Sequence, residues 1–358
     1  MEDAVPTDLP IFDYTKLSDP EILSLYRRVM SVSEETATAI TKGYNRSMPI
    51  AAYFVDEEIF QASAGIEDDR YLVLFSRPVP ILVRILFDKI LAHSTLMPWL
   101  PADLEAEGAS NYEVPFIIDP LNFSRTENWG IRLSPARTFA AGTLADICLC
   151  FITLHEFGHI ICGHGEGVSH YYGRNHFLEF SASLPRSKLE TERDRAWEFD
   201  ADVVAATFMI QFIVELAADV DKNPRTRQFL GEVGDRYAQA LSLAVAGLFA
   251  LFSYLQGMRR DLGLFSGHPH PMVRAQYIKD LLAVAARDRF AFDEDLFLRL
   301  LDERLDEMMI ALQDNGLFDA SVFTEDYSAE INRQVHEMKE LQTKYRPSCS
   351  QWCLFSWE

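Results

Sequence analysis

The hydrophobic and polar positions of this chain repeat mostly with a helical period, broken by a few short strand-like runs. Residues 20–29 and 34–44 carry apolar side chains three and four apart, and each stretch predicts an amphipathic helix. Residues 80–92 (PILVRILFDKILA) predict an apolar helix that opens on a proline, whose fixed φ suits a first helical turn. Residues 71–75 (YLVLF) read as a strand, as do 112–118 (YEVPFII) and 129–133 (WGIRL), with Asp119-Pro120 and Asn128 as turn points. Residues 106–110 (AEGAS) mark a loop or linker.

Further along, an apolar stretch at 143–151 leads into a second at 160–162, and residues 203–218 are apolar again. Residues 293–312 place Leu296, Leu300, Leu301, Leu305 and Met308 at helical spacing, a pattern of core packing. Residues 325–345 form a charged helix, followed by an aromatic-rich end, QWCLFSWE, suited to docking on the body or on a partner. The pattern therefore predicts a mainly helical α+β protein with a small antiparallel sheet. It divides into an accessory region at 1–105, a central core at 106–285 and a helical C-terminal region at 286–358.

Composition sets the outer limits. With 48% hydrophobic and 12% aromatic residues over 358 positions, the chain can bury a substantial core and is not a disordered polymer. Its formal net charge of −21 repels phosphate backbones, so nucleic acid is not an expected partner. Five cysteines, an odd number, do not make a secreted disulfide framework, and the opening MEDAVPTDLP has no basic segment followed by an apolar one. A reducing, cytoplasmic location is the expectation. Against it stands the uncharged run 237–258, long enough to cross a bilayer. Its Gln239, Ser242, Gly247, Ser253 and Gln256 fit a buried soluble helix equally well, and both readings stay open.

The candidate chemistry is concentrated in residues 154–164, LHEFGHIICGH, which contain the pattern H-E-x-x-H in His155, Glu156 and His159. On a helix, a spacing of one turn plus about 40° puts both imidazoles on one face, where they can hold a single zinc ion. Glu156, one position round, can take a proton from water at the open coordination position. The flanking apolar residues predict that this helix is buried. Buried imidazoles need polar partners, which a metal supplies; a hydrogen-bonded pair of core histidines is the plainer alternative.

A catalytic zinc takes three protein ligands. Residues 192–206 (ERDRAWEFDADVVAA) place Glu198 and Asp202 four apart, on one helical face, so that Glu198 can bind the metal while Asp202 reaches an imidazole N–H. A solvated acidic helix start is the alternative for this segment. His164, five residues past His159, would point about 140° away if the helix continued. It reads as a helix-end or loop histidine, with substitution for Glu198 as a ligand the other possibility.

H-E-x-x-H with a later E-x-x-x-D resembles the gluzincin metallopeptidases. The resemblance implies zinc ligands His155, His159 and Glu198, with Glu156 as base and Asp202 orienting the first histidine. It also implies a small sheet packed on the zinc-bearing helix pair, whose edge, here 129–133, binds peptide by backbone pairing. The segment His268-Pro269 with Arg274 is similar to the HP…R segment of the CAAX-prenyl-protease and HtpX type, and Gly163-His164 is similar to the G-H of Lit-type phage-exclusion peptidases. The resemblance covers roughly residues 140–280 and rests on short motifs.

These residues lead to a zinc-dependent endopeptidase acting on a protein or peptide substrate. Glu156 would serve as catalytic base, and His268, His270 and Arg274 are the candidates for steadying the oxyanion. The bland reading of the HPHP segment is a turn ahead of a helix starting near Met272, with Arg274 exposed. The glycine-rich stretch between His159 and Glu198 suggests a cover for the cleft, with His170, Tyr171, Tyr172, Arg174 and His176 as possible substrate contacts. A membrane-associated protease and a non-catalytic, zinc-pinned interaction protein, with a fourth ligand such as His164, are the alternatives. Cys349 and Cys353 have a spacing that is either incidental or metal-binding.

Overall fold

The stretch that carries H-E-x-x-H becomes a single long helix, α3 (Pro135–Ile161), because its start and stop are both built locally. Ser134 caps it by accepting from the Arg137 backbone N–H, and Pro135 occupies the first helical turn. It ends where Gly163 turns left-handed at φ 73°, a conformation glycine adopts without a Cβ clash. The computed structural model describes residues 10–44, 48–67, 69–101, 120, 133–173, 176–178, 187–231, 234–258, 269–317 and 325–354. The predicted strands at 112–118 and 129–132 and the linker at 106–110 lie outside these residues.

Against α3 packs the second long helix, α5 (Lys188–Asp219), opened by a reciprocal capping box between Ser187 and Glu190. Around this pair stand α1 (Pro20–Tyr44), α2 (Val79–Leu91), α4 (His164–Tyr172), α6 (Pro224–Leu230), α7 (Arg236–Met258), α8 (Pro271–Arg287), α9 (Glu294–Asp314) and α10 (Glu325–Tyr345). The two segments read as separate helices at 20–29 and 34–44 are one helix. The residues between them contain no breaker, and Ser33 donates its hydroxyl back to the Val29 carbonyl one turn earlier (2.8 Å).

The sheet has the order β1-β3-β2-β4, with β1 (Ile50–Val55), β2 (Ala62–Glu67), β3 (Arg70–Ser76) and β4 (His176–Leu178). β2 and β3 form an antiparallel hairpin, and β4 adds antiparallel to β2. The sheet is not wholly antiparallel, however: β1 runs parallel to β3, since the chain crosses past the β3 position before the hairpin brings it back between β1 and β2. Its inner face packs on α3 and α4. The fold is thus mainly helical α+β.

One apolar core runs from Phe12 to Met338, through all three stretches into which the sequence pattern divides the chain. Arg137, almost wholly buried, is held inside it by donating to the carbonyls of Leu91, His93, Leu96 and Pro101. This satisfies the C-terminal end of α2 and fixes it to the start of α3. Among the described residues three helices, α3, α5 and α7, are long and apolar enough to cross a membrane by length and composition. In α3 and α7 about nine-tenths of the apolar window is buried against other elements of the fold, compared with half in α5.

Candidate metal centre

The site lies where α3 crosses α5, and the closeness of that crossing comes from Gly158. A Cβ at this position would stand 2.8 Å from the Ala201 carbonyl oxygen and 2.9 Å from the Ala201 Cα, so the two backbones meet with no side chain between them. Gly158 is flanked by His155 and His159, and Ala201 by Glu198 and Asp202. The contact therefore brings two acidic side chains of α5 level with both imidazoles of α3.

Three side chains converge there. His155, His159 and Glu198 each offer a ligand atom, all within 4.8 Å of one another, and all three residues are buried. The two Nε2 atoms stand 3.1 Å apart with ring planes nearly perpendicular at 88°. Glu198 places Oε2 3.4 Å from His155 Nε2 and Oε1 3.7 Å from His159 Nε2. Two imidazole nitrogens this close need either a proton shared between them or a cation that both lone pairs can bind. Two histidines and one glutamate are also a familiar donor set for catalytic zinc, so the residues fit the ion.

Behind His155 sits Asp202, fully buried, with Oδ1 2.8 Å from His155 Nδ1. Arg274 on α8 grips the same carboxylate, donating from Nε to Oδ2 (3.0 Å) and from Nη2 to Oδ1 (2.7 Å), and the Tyr277 hydroxyl donates a short bond to Oδ2. Arg274 Nη2 also lies 3.3 Å from His155 Nδ1, but the closer carboxylate takes the Nδ1 proton. Burial alone would raise the Asp202 pKa; the Arg274 and His155 charges outweigh it and hold the carboxyl below its ordinary range. Asp202 is therefore a fixed anion.

That anion sets the states of the histidines in the metal-free site. Burial disfavours a charged His155, yet Asp202 beside it more than offsets this, and its pKa is raised well above the usual histidine value. His159 goes the other way: burial and the neighbouring His155 charge push it well below. His164, wholly buried, is pushed down to about 3 by burial and is neutral. A proton on His155 Nε2 thus bridges the two converging nitrogens in the metal-free site.

Glu156 is fully buried on the same helix, one residue on from His155. Arg274, read from sequence as a candidate for the oxyanion or as an exposed helix residue, is not exposed. It is buried behind His155, on Asp202, with Nη1 3.6 Å from Glu198 Oε2. His270 caps α8, its Nδ1 accepting from the Met272 backbone N–H at 3.2 Å, which occupies that nitrogen. His268 lies outside the described residues. Asp200 points the opposite way, accepting from Gln342 (2.6 Å) and Arg346 (3.2 Å) at the C-terminal side of the fold.

His164 does not follow the line of α3. The helix stops at Cys162, Gly163 reverses the chain, and the imidazole folds back so that its Nδ1 stands 2.9 Å from His159 Nδ1. It is not one of the converging ligand group, in which His159 takes part through Nε2. Tyr171 and Tyr172, candidates for substrate contact, pack with Trp197 and under the Arg193 guanidinium, which lies 3.8 Å from the Tyr171 ring centroid. Residues 353 and 354 lie over this corner: Leu354 N–H donates to Ile161 O (2.8 Å) and Cys353 Sγ contacts Cys162 O (3.0 Å). Cys349 is buried against Val168 and Trp197, and neither it nor Cys353 joins a metal-ligand group among the described residues.

Sequence reasoning missed Tyr277, Gly158 and the pairing of His164 with His159. Tyr277 had a usable signal, since it follows Arg274 by three residues on one helical face. Comparison with known proteins adds nothing to this geometry: no family model, no curated protein and no solved structure matches the chain.

Proposed function

We propose that this protein is a zinc-dependent hydrolase acting on peptide bonds. The observation that carries the reading is the convergence of His155, His159 and Glu198 from two helices, backed by a buried carboxylate on the distal nitrogen of the first histidine. The H-E-x-x-H and E-x-x-x-D spacing and its resemblance to gluzincins supply the peptide-bond part. A zinc ion held by these three residues acts as a Lewis acid and brings the pKa of a coordinated water toward 7.

The chain's own residues do the rest. Asp202 accepts the Nδ1 proton of His155, which leaves the Nε2 lone pair for the metal and fixes the ring. Arg274 and Tyr277 keep Asp202 ionised and in place. Glu156, buried beside the ligands, receives the proton of the attacking water and passes it to the leaving amine. Three ligands rather than four among the described residues, with His164 turned to the far nitrogen of His159, favour a centre with an open position over a structural pin. The apolar length of α3, α5 and α7 supports a second reading, the same chemistry at a membrane. A salt-washed membrane fraction assayed for the protein separates the two locations.

The test is metal content together with cleavage of a peptide library, with and without a chelator. Wild-type protein is expected to hold about one zinc per chain and lose activity on chelation. Glu156→Gln should keep the metal and lose hydrolysis by at least two orders of magnitude, while Glu198→Ala should lose the metal. A fully active Glu156→Gln, or a Glu198→Ala that holds zinc as wild type does, overturns the assignment.

A further inference from the structure

We infer that His164 is a positioning residue for this centre: its Nδ1 accepts the Nδ1 proton of His159 and so keeps the His159 Nε2 lone pair facing His155 and Glu198. The inference rests on the metal reading above and adds a residue that reading does not need. The two Nδ1 atoms are 2.9 Å apart, a hydrogen-bond distance, and two nitrogens that close must share one proton between them. For His159 to coordinate through Nε2, its own proton must sit on Nδ1, so His159 donates and His164 accepts.

Three features hold His164 in that place. Gly163 takes φ 73°, the left-handed turn that swings the next residue back over His159, and a Cβ there would stand 2.6 Å from Trp352 Cβ. The imidazole lies flat on the Trp197 indole, with centroids 5.3 Å apart and planes at 14°. It is completely buried, so water does not compete for the bond. Trp197 directly precedes Glu198, so the ring that supports His164 is tied to the helix that carries the third ligand.

The two ligand histidines thus have unlike partners. His155 donates to a carboxylate, and His159 donates to a neutral imidazole. Outer partners of metal-bound histidines fix the ring and the tautomer, and losing one typically lowers metal affinity by about 10- to 100-fold. A second carboxylate at the position of His164 would add negative charge to a buried site that already contains Glu198 and Asp202. A neutral acceptor gives the orientation without that charge.

The experiment measures Zn2+ affinity by competition with a chromophoric chelator in the full-length protein. His164→Phe keeps a ring on Trp197 and removes the acceptor; His164→Asn places a carbonyl oxygen near the position of Nδ1. The Phe variant is expected to bind zinc about 10- to 100-fold more weakly, and the Asn variant to recover most of the loss. Wild-type affinity in His164→Phe, or equal weakness in both variants, overturns the inference while leaving the metal site standing. Failure of wild-type protein to bind zinc, or binding unaffected by Glu198→Ala, overturns the metal reading itself. If the Phe variant does not fold, long-range 1H–15N correlation on zinc-loaded wild-type protein decides. A proton on His159 Nδ1 supports the inference, and a proton on Nε2 refutes it.

Discussion

Gly158→Ala is the substitution that most directly tests how the fold makes the site. The added methyl would meet the Ala201 backbone at 2.8 Å (carbonyl oxygen) and 2.9 Å (Cα), whereas carbon contacts settle at about 3.5 Å or more. Backbone atoms within two helices cannot rotate aside, so α3 and α5 must separate by roughly 0.6 Å at the crossing. Metal ligands tolerate only about 0.2 Å of error in distance, and the displaced residues sit one turn after His155 (Gly158) and one turn after Glu198 (Ala201). Affinity for zinc should therefore fall by about tenfold or more.

Stability is the weaker readout of the same change. Overpacking costs about 1–3 kcal/mol, but alanine in a helix gains about 1 kcal/mol over glycine, so the net loss is on the order of 0–2 kcal/mol. A chelator-competition titration, paired with urea unfolding in excess chelator, separates the two quantities. Gly43→Ala in α1 is the control, because its methyl would have no atom within 4 Å. A folded Gly158→Ala protein that binds zinc as tightly as wild type, or as tightly as Gly43→Ala, would refute the idea that this crossing sets the ligand geometry.

Two further predictions concern buried charge. Asp202→Asn should destabilise the chelator-treated protein by about 3–5 kcal/mol, because Arg274 and His155 both lose the carboxylate they donate to and Arg274 is left with the more distant Glu198, 3.6 Å away; a variant as stable as wild type in urea unfolding would contradict the pairing. Asp200 is almost fully buried, and burial pushes its pKa up from 3.8 to about 6 despite Arg346. Its folded pKa lies above its unfolded one, so its contribution to stability is full below pH 4 and is lost as pH rises through 6. Asp200→Asn should remove that fall and be more stable than wild type at pH 7 by about 2–3 kcal/mol, with zinc binding unchanged; a less stable variant at pH 7, or an unchanged pH slope, would rule this out.

Some helix starts were legible in the chain: the turn before Met272 and the start of the 293–312 pattern both carry caps in the structure, from His270 and Asp293. Ser134 and Ser187 with Glu190 also cap helices, but the segments read from sequence begin later, at 143 and 192, because the first turns beyond those caps carry little apolar periodicity. Strands were harder to read. β2 is ASAGIE, whose small residues carry almost no apolar alternation, and it exists because β3 and β4 pair on either side of it. In the site, the i, i+4 spacings gave the faces of α3 and α5 but nothing about how near those faces approach. That distance depends on a glycine meeting an alanine across two helices, a tertiary contact with no local signature. His164 does stand at the helix end, as its position indicates, but its return onto His159 depends on the left-handed turn at Gly163 and had no local sign.

The charges of the site bind these observations together. Glu156, Glu198 and Asp202 are fully buried, and Arg274 is a buried cation beside the last two, donating twice to Asp202 with Nη1 3.6 Å from Glu198 Oε2. A buried charge without a partner costs several kcal/mol, so an ionised carboxylate here needs a cation beside it. Asp202 has Arg274 and, in the metal-free protein, the protonated His155. On the proposed reading a divalent cation would take the place of the proton at His155 Nε2 and release it on binding. Arg274 does not fill that place, because its two closest contacts lie on Asp202, beside Nδ1 of His155 rather than beside the converging Nε2 atoms. One buried cation thus holds the support carboxylate, and the face made by His155, His159 and Glu198 is the part of the site that the proposed metal would occupy.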